Sequence, residues 1–181
     1  MFESLAETLR RSTVQIYGRR HGTGSGVIWS AEGLVVTNAH VIESRECVVE
    51  TRDGRKLEAV LVKRDARRDL AVLRVSPEAP WEPAAIGDSQ NLRAGQVVLA
   101  VGNPLGVSGA VTTGIIHATS RKDWIQADIS LAPGNSGGML ADAEGRVIGI
   151  NSMIYRGIAL AVPTHAIALF LARAFAGARA A

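Results

Sequence analysis

The chain has 181 residues, 47% hydrophobic and 20% charged, with 20 Lys+Arg against 17 Asp+Glu for a formal charge of +3. That length suits one domain, and the apolar share excludes global disorder. The single Cys47 excludes an internal disulfide and a cysteine-built metal site, and the basic residues form no concentrated face for nucleic acid.

In chain order, Phe2, Leu5, Ala6 and Leu9 stand at helical spacing, and Glu7 is placed to meet Arg11 one turn on, so Phe2 to Arg11 is predicted as a short amphipathic helix. Glu3 and Glu7 interrupt this stretch, and no signal peptide is read in it. Short runs rich in Val, Ile and Leu follow at Thr13 to Tyr17, Gly26 to Trp29, Leu34 to Thr37, Cys47 to Thr51, Leu57 to Lys63 and Leu70 to Val75. Turn pairs such as Glu32-Gly33 and Asp53-Gly54 separate them, which predicts strands. Pro80 to Leu92 reads as a connector. Further strands are predicted at Val97 to Val101, Ala110 to Ala118, Trp124 to Ala127, Arg146 to Asn151 and Ala159 to Val162. Thr164 then caps a closing helix with Ile167, Phe170, Leu171 and Ala174 on its apolar face. Its apolar tail, Ala166 to Ala178, is shorter than the ~20 residues of a membrane span and contains Arg173. Many short strands with helices only at the ends predict an all-β fold in one domain, residues 1–181, with two barrels sharing a cleft.

Chemistry concentrates in Gly134-Asn135-Ser136-Gly137-Gly138, where glycines let the Gly134 and Ser136 N–H groups converge on one point, as an oxyanion hole requires. The pattern alone fits a Gly-rich hairpin with an incidental serine equally well. A serine hydroxyl needs a base. His21 lies in a charged turn, His117 follows a strand and His165 opens the last helix, whereas His40 ends the apolar strand Leu34-Val35-Val36 and is held at a fixed place. Asp69 stands at the entry to Leu70-Ala71-Val72-Leu73 and is the best carboxylate to orient it; Asp65 is the closest competitor. The order His40, Asp69, Ser136 separates this arrangement from an α/β-hydrolase elbow, which would use Asp142 and His165 and needs a helix after the serine. Ser136 leads instead to a turn at Ala143-Glu144-Gly145 and another strand. Gly22-x-Gly-x-Gly leads into a strand and reads as a barrel turn; Arg64, Arg67 and Arg68 read as a solvated face.

Together Gly22-Thr23-Gly24-Ser25-Gly26-Val27-Ile28, Thr37-Asn38-Ala39-His40-Val41, Arg68-Asp69-Leu70-Ala71-Val72-Leu73, Gly102-Asn103-Pro104-Leu105-Gly106 and Gly134-Asn135-Ser136-Gly137-Gly138 resemble the protease domain of the HtrA (DegP-like) serine proteases. The resemblance implies a trypsin-like double β-barrel with short terminal helices. It assigns His40 as base, Asp69 as its orienter, Ser136 as nucleophile, and Gly134, Asn135 and Ser136 as the oxyanion loop. It also implies a substrate pocket at Ser130, Leu131 and Ala132, without a carboxylate, and a substrate strand along Gly149 to Met153, including Asn151 and Ser152. The sequence departs from the family at Ala132, where Asn is common, and in short segments at Tyr17 to Gly22 and Ala118 to Trp124. No PDZ domain is expected within its 181 residues.

The reading is an endopeptidase acting on unfolded or extended polypeptides and cutting after small or medium aliphatic residues. It needs no cofactor or metal and has no nucleic-acid partner. The alternatives are a catalytically silent peptide-binding or chaperone-like module and an esterase using the same serine. The resemblance also implies a homotrimer, with Phe2 offering an apolar contact. It implies a periplasmic or envelope location if an export or anchor segment belongs to the protein, and a cytoplasmic one otherwise.

Overall fold

Burial on both faces of the central strands explains why this sequence reads as continuous apolar runs rather than alternating ones. The structure is a computed structural model that describes residues 2–18, 23–103, 107–119 and 124–176. Helix α1 (Phe2–Arg11) leads into β1 (Thr13–Tyr17), β2 (Thr23–Ile28), β3 (Leu34–Thr37), β4 (Glu46–Glu50), β5 (Lys56–Asp65) and β6 (Leu70–Val75), which close antiparallel in the order β1-β2-β3-β6-β5-β4. The second barrel comprises β7 (Val97–Gly102), β8 (Ala110–Thr119), β9 (Ile125–Asp128), β10 (Met139–Asp142), β11 (Val147–Tyr155) and β12 (Ile158–Pro163), in the order β10-β11-β12-β9-β8-β7. Helix α2 (Thr164–Phe175) follows, and no helix among the described residues is long and apolar enough to cross a membrane.

Period-two alternation divides each central strand between two cores. In β6, Ala71, Leu73 and Val75 fill the first barrel with Val14, Ile16 and Val35. Leu70 and Val72 face the other way, into a cluster shared with Leu99, Val101, Met139 and Ile150 of the second barrel and with Leu9, Ile167 and Phe170 of the two helices. In β7, Val98 and Ala100 line the second barrel. The central cluster joins the barrels and sets the relative position of the β3 and β10 ends.

Three local expectations change. The four-residue β10 escaped the strand reading because it lies between a Gly-rich loop and a turn, too short to show a period. Thr164 does not cap α2: its hydroxyl donates to the Gly87 carbonyl at 3.0 Å, and Ser89 Oγ accepts from the His165 N–H at 3.1 Å. Glu7 forms its two-pronged ion pair with Arg52 (2.9 and 3.0 Å), not with Arg11, because the β4–β5 turn lies beside α1. Arg64, Arg67 and Arg68 are exposed, in line with the solvated-face reading, and Arg64 Nε also donates to the Ala39 carbonyl at 3.0 Å. His21 and the Phe2 side chain lie outside the described residues.

Candidate active site

Strand β3 ends at Thr37, and a 3-10 turn over Ala39–Val41 presents His40. Its Nδ1 donates to both oxygens of Asp69, at 2.8 and 3.0 Å, and its backbone N–H donates to Oδ1 at 3.0 Å. An ionised carboxylate only accepts, so Nδ1 carries a proton and, in the neutral ring, Nε2 keeps its lone pair. The Asp69 side chain is 12% exposed and that of His40 50%, so the carboxylate is shielded while the imidazole reaches solvent.

Asp69 holds this position through a left-handed backbone, φ 54°, which an aspartate tolerates better than most residues. Asn38 Nδ2 donates to its carbonyl at 2.9 Å and ties the turn to the His40 segment. The turn is shaped by Asp65, whose carboxylate accepts from the Arg67 and Arg68 N–H groups and from Arg68 Nη1. Burial pushes the Asp69 carboxyl up, yet hydrogen bonds from the His40 ring, Ser152 Oγ and the His40 N–H outweigh it and hold the group below the usual carboxylate value.

Two consecutive turns build the serine loop. Asn135 N–H donates to the Ala132 carbonyl at 3.0 Å around Pro133 and Gly134 (φ 100°), and Gly138 N–H donates to the Asn135 carbonyl at 3.0 Å around Ser136 and Gly137 (φ 84°). Proline at the second place and a positive-φ glycine at the third are the residues a type II turn demands. With Asn135 N–H spent on its turn, the loop's N–H groups without an acceptor among the described residues are those of Gly134 and Ser136.

Ser136 Oγ donates to the Ser152 carbonyl at 3.0 Å. Ser152 Oγ in turn donates to Asp69 Oδ2, so Ser136, Ser152, Asp69 and His40 form one connected chain of hydrogen bonds. Beside Ser136 lies a cavity of about 190 Å³ lined by Leu131, Ala132, Pro133, Ser152, Met153 and Ile154, and none of the described residues in its wall is ionisable. Met153, Ile154 and Tyr155 are exposed, and among the described residues β11 pairs there only with β12.

The sequence profile of the trypsin-like peptidase domain matches residues 24–150. The chain belongs to the trypsin-like peptidase family. Its sequence is that of an HtrA-type protease domain. It is 43% identical over 158 residues to a probable periplasmic serine endoprotease DegP-like of Halomonas elongata, covering 80% of this chain and 33% of that protein. It is 37% identical over 179 residues to serine protease HTR4 of Rattus norvegicus, covering 92% and 37%. The serine endoprotease crystal structure from Yersinia pestis superposes with a TM-score of 0.88 at 35% identity, over 96% of this chain and 66% of that one. The chain thus spans about a third of the length of the curated relatives it matches.

Within this trypsin-like domain, several expected site residues fall elsewhere. Gly149 and Asn151 have no free edge: Gly149 pairs with Leu140 and Pro163, and Asn151 with Ala161 and Gly138. The open edge of β11 starts at Ser152 instead. Ser130 is exposed outside the cavity. Ser152, read as a pocket residue, is also a partner of Asp69. That partnership had no local signal, because it joins positions 83 residues apart. The elbow alternative finds no support, since Asp142 pairs with Arg146 at 2.8 Å and His165 with Ser89 at 2.9 Å.

Proposed function

We propose that this chain is a serine endopeptidase that cuts unfolded or extended polypeptides through His40, Asp69 and Ser136. The observation that carries this reading is the connected set His40, Asp69, Ser152 and Ser136, which brings an acceptor Nε2 and a nucleophilic hydroxyl onto the same two-residue support. When substrate arrives, Ser136 exchanges the Ser152 carbonyl for His40. Its oxygen attacks the peptide carbonyl carbon as the proton passes to Nε2. The negative oxygen of the tetrahedral intermediate faces the Gly134 and Ser136 N–H groups. Collapse returns the proton to the departing amine and leaves an acyl-enzyme, and water repeats the cycle to release the acid.

The uncharged cavity favours Val, Ala, Leu or Ile on the acyl side, because a buried Arg or Lys would find no partner there. The open Ser152 to Tyr155 edge suits backbone pairing with an extended substrate, which gives affinity independent of side chains. The periplasmic names of relatives favour an envelope location.

A second reading, a silent peptide-binding module, is favoured by the bond from Ser136 to Ser152 in place of one to His40. A fluorophosphonate probe and a peptide library, each run with Ser136→Ala as control, separate the two. Labelling of Ser136 with cleavage after aliphatic residues supports the protease. Neither labelling nor cleavage selects the silent module. Cleavage dominated by Arg or Lys overturns the pocket assignment.

A further inference from the structure

Two sequence motifs, Gly24-Ser25-Gly26 and Gly102-Asn103, have no part in the chemistry so far, yet they meet directly behind the serine loop. Ser25 is fully buried in β2, in the opposite barrel from that loop. Its hydroxyl donates to the Gly134 carbonyl at 2.7 Å and accepts from the Asn103 N–H at 2.8 Å. Its backbone N–H donates to the Ser136 carbonyl at 2.8 Å, and its carbonyl accepts from Thr37 Oγ1 at 2.7 Å, just before the His40 turn. Asn103 is itself anchored: its Nδ2 donates to the Val14 carbonyl at 2.9 Å and its Oδ1 accepts from the Gly109 N–H at 2.8 Å.

The consequence follows peptide by peptide. The Gly134-Asn135 unit is pinned at both ends, its carbonyl by Ser25 Oγ and its N–H by Ala132. The Ser136-Gly137 unit is also pinned at both ends, its carbonyl by the Ser25 N–H and its N–H by Asn151. The two N–H groups without acceptors, Gly134 and Ser136, sit on the neighbouring units, so their directions follow from the pinned ones. Among the described residues, Ser25 is the one that hydrogen-bonds to both. A donor pair aimed at a developing charge stabilises it only if held in place beforehand.

We propose that Ser25 is the positioning residue of the oxyanion loop: its hydroxyl, polarised by the Asn103 N–H, locks the Gly134-Asn135 peptide so that the Gly134 and Ser136 N–H groups converge. This rests on the protease reading above. Without the hydroxyl, the Gly134 carbonyl and the Asn103 N–H lose buried partners, and the turn is free to rotate the Gly134 N–H away.

The test compares wild type with Ser25→Ala, using a peptide substrate, a peptide boronate whose anionic tetrahedral adduct presents an oxygen in the oxyanion position, and peptide affinity measured in a Ser136→Ala background. Ser25→Ala should lower kcat about tenfold to about a hundredfold, short of the roughly 10²–10³ lost when a donor is removed outright. Boronate affinity should weaken by a similar factor, while KM and peptide affinity change less than about twofold. If Ser25→Ala does not fold, Ser25→Cys, which fills the site with a weak donor, is put through the same comparison. An unchanged kcat, or boronate and peptide affinities that fall together, overturns the role of Ser25. Absence of hydrolysis by the wild type would instead count against the protease reading, so the two failures are distinguishable.

Discussion

Replacing Asp69 with asparagine tests the orientation of His40 at the level of single hydrogen bonds. The carboxylate accepts from the His40 ring, the His40 N–H and Ser152 Oγ, whereas an amide presents one acceptor and one donor. With its oxygen at the Oδ2 place, the amide NH₂ faces the fixed His40 backbone N–H, two buried donors with nowhere to turn. With its oxygen at the Oδ1 place, the NH₂ faces Nδ1, and the clash is relieved when the ring moves its proton to Nε2. The second arrangement wins because the Ser152 hydroxyl, the other donor at the Oδ2 place, can turn to accept from the NH₂, and it removes the lone pair that must take the Ser136 proton. The expected loss in kcat is about ten-thousandfold, or roughly 5 kcal/mol of barrier, with KM little changed. Asp65→Asn is the control. Its carboxylate serves Arg68 and its own turn, so activity should stay within about threefold, as for a surface ion pair. The assay is steady-state cleavage of a peptide substrate, with circular dichroism to confirm folding. An Asp69→Asn enzyme within tenfold of wild type, or a crippled Asp65→Asn, would refute the reasoning.

Asp69 also links stability to pH. Its folded value lies below the ordinary carboxylate value, so its contribution is present above about pH 4 and is lost as pH falls through the lower folded value. The gap in urea midpoint between wild type and Asp69→Asn should therefore narrow from about pH 5 to about pH 3; a constant gap contradicts this. Gly137→Ala would place a Cβ against the Ser25 carbonyl and the Thr37 hydroxyl at φ 84°, whereas Gly54, at φ 85°, has nothing within 4 Å. The first should cost about 3 kcal/mol or more and the second about 1 kcal/mol in urea unfolding, and equal losses would exclude the close approach. Burial pushes the Cys47 thiol up to about 11, so alkylation of the folded protein at about pH 8 should run roughly a hundredfold slower than after unfolding. Equal rates would show the thiol to be open.

What the sequence determined by itself is local. Pro133 and Gly134 specify their turn because ring closure and the missing Cβ act within the residue, and the Leu70 to Val75 run announces a strand because its β-branched and apolar side chains suit a pleated, buried surface. His40 and Asp69 were legible as residues placed at a strand end and a strand entry. Their pairing is expected from position and resemblance, but the hydrogen bonds that make it are not legible, because they form only after the β5–β6 turn folds back on a segment 29 residues earlier. Ser152 and Ser25 show the same limit more sharply. Ser25 stands in a glycine motif read as a turn and Ser152 just past a predicted strand, and each gains its place from a partner 83 or 109 residues away. Packing of the two barrels around Leu70, Val72, Met139 and Ile150 decides these contacts. Hydrogen bonds across that interface form only after apolar burial has fixed the distance between backbones, and no short window of sequence carries that distance.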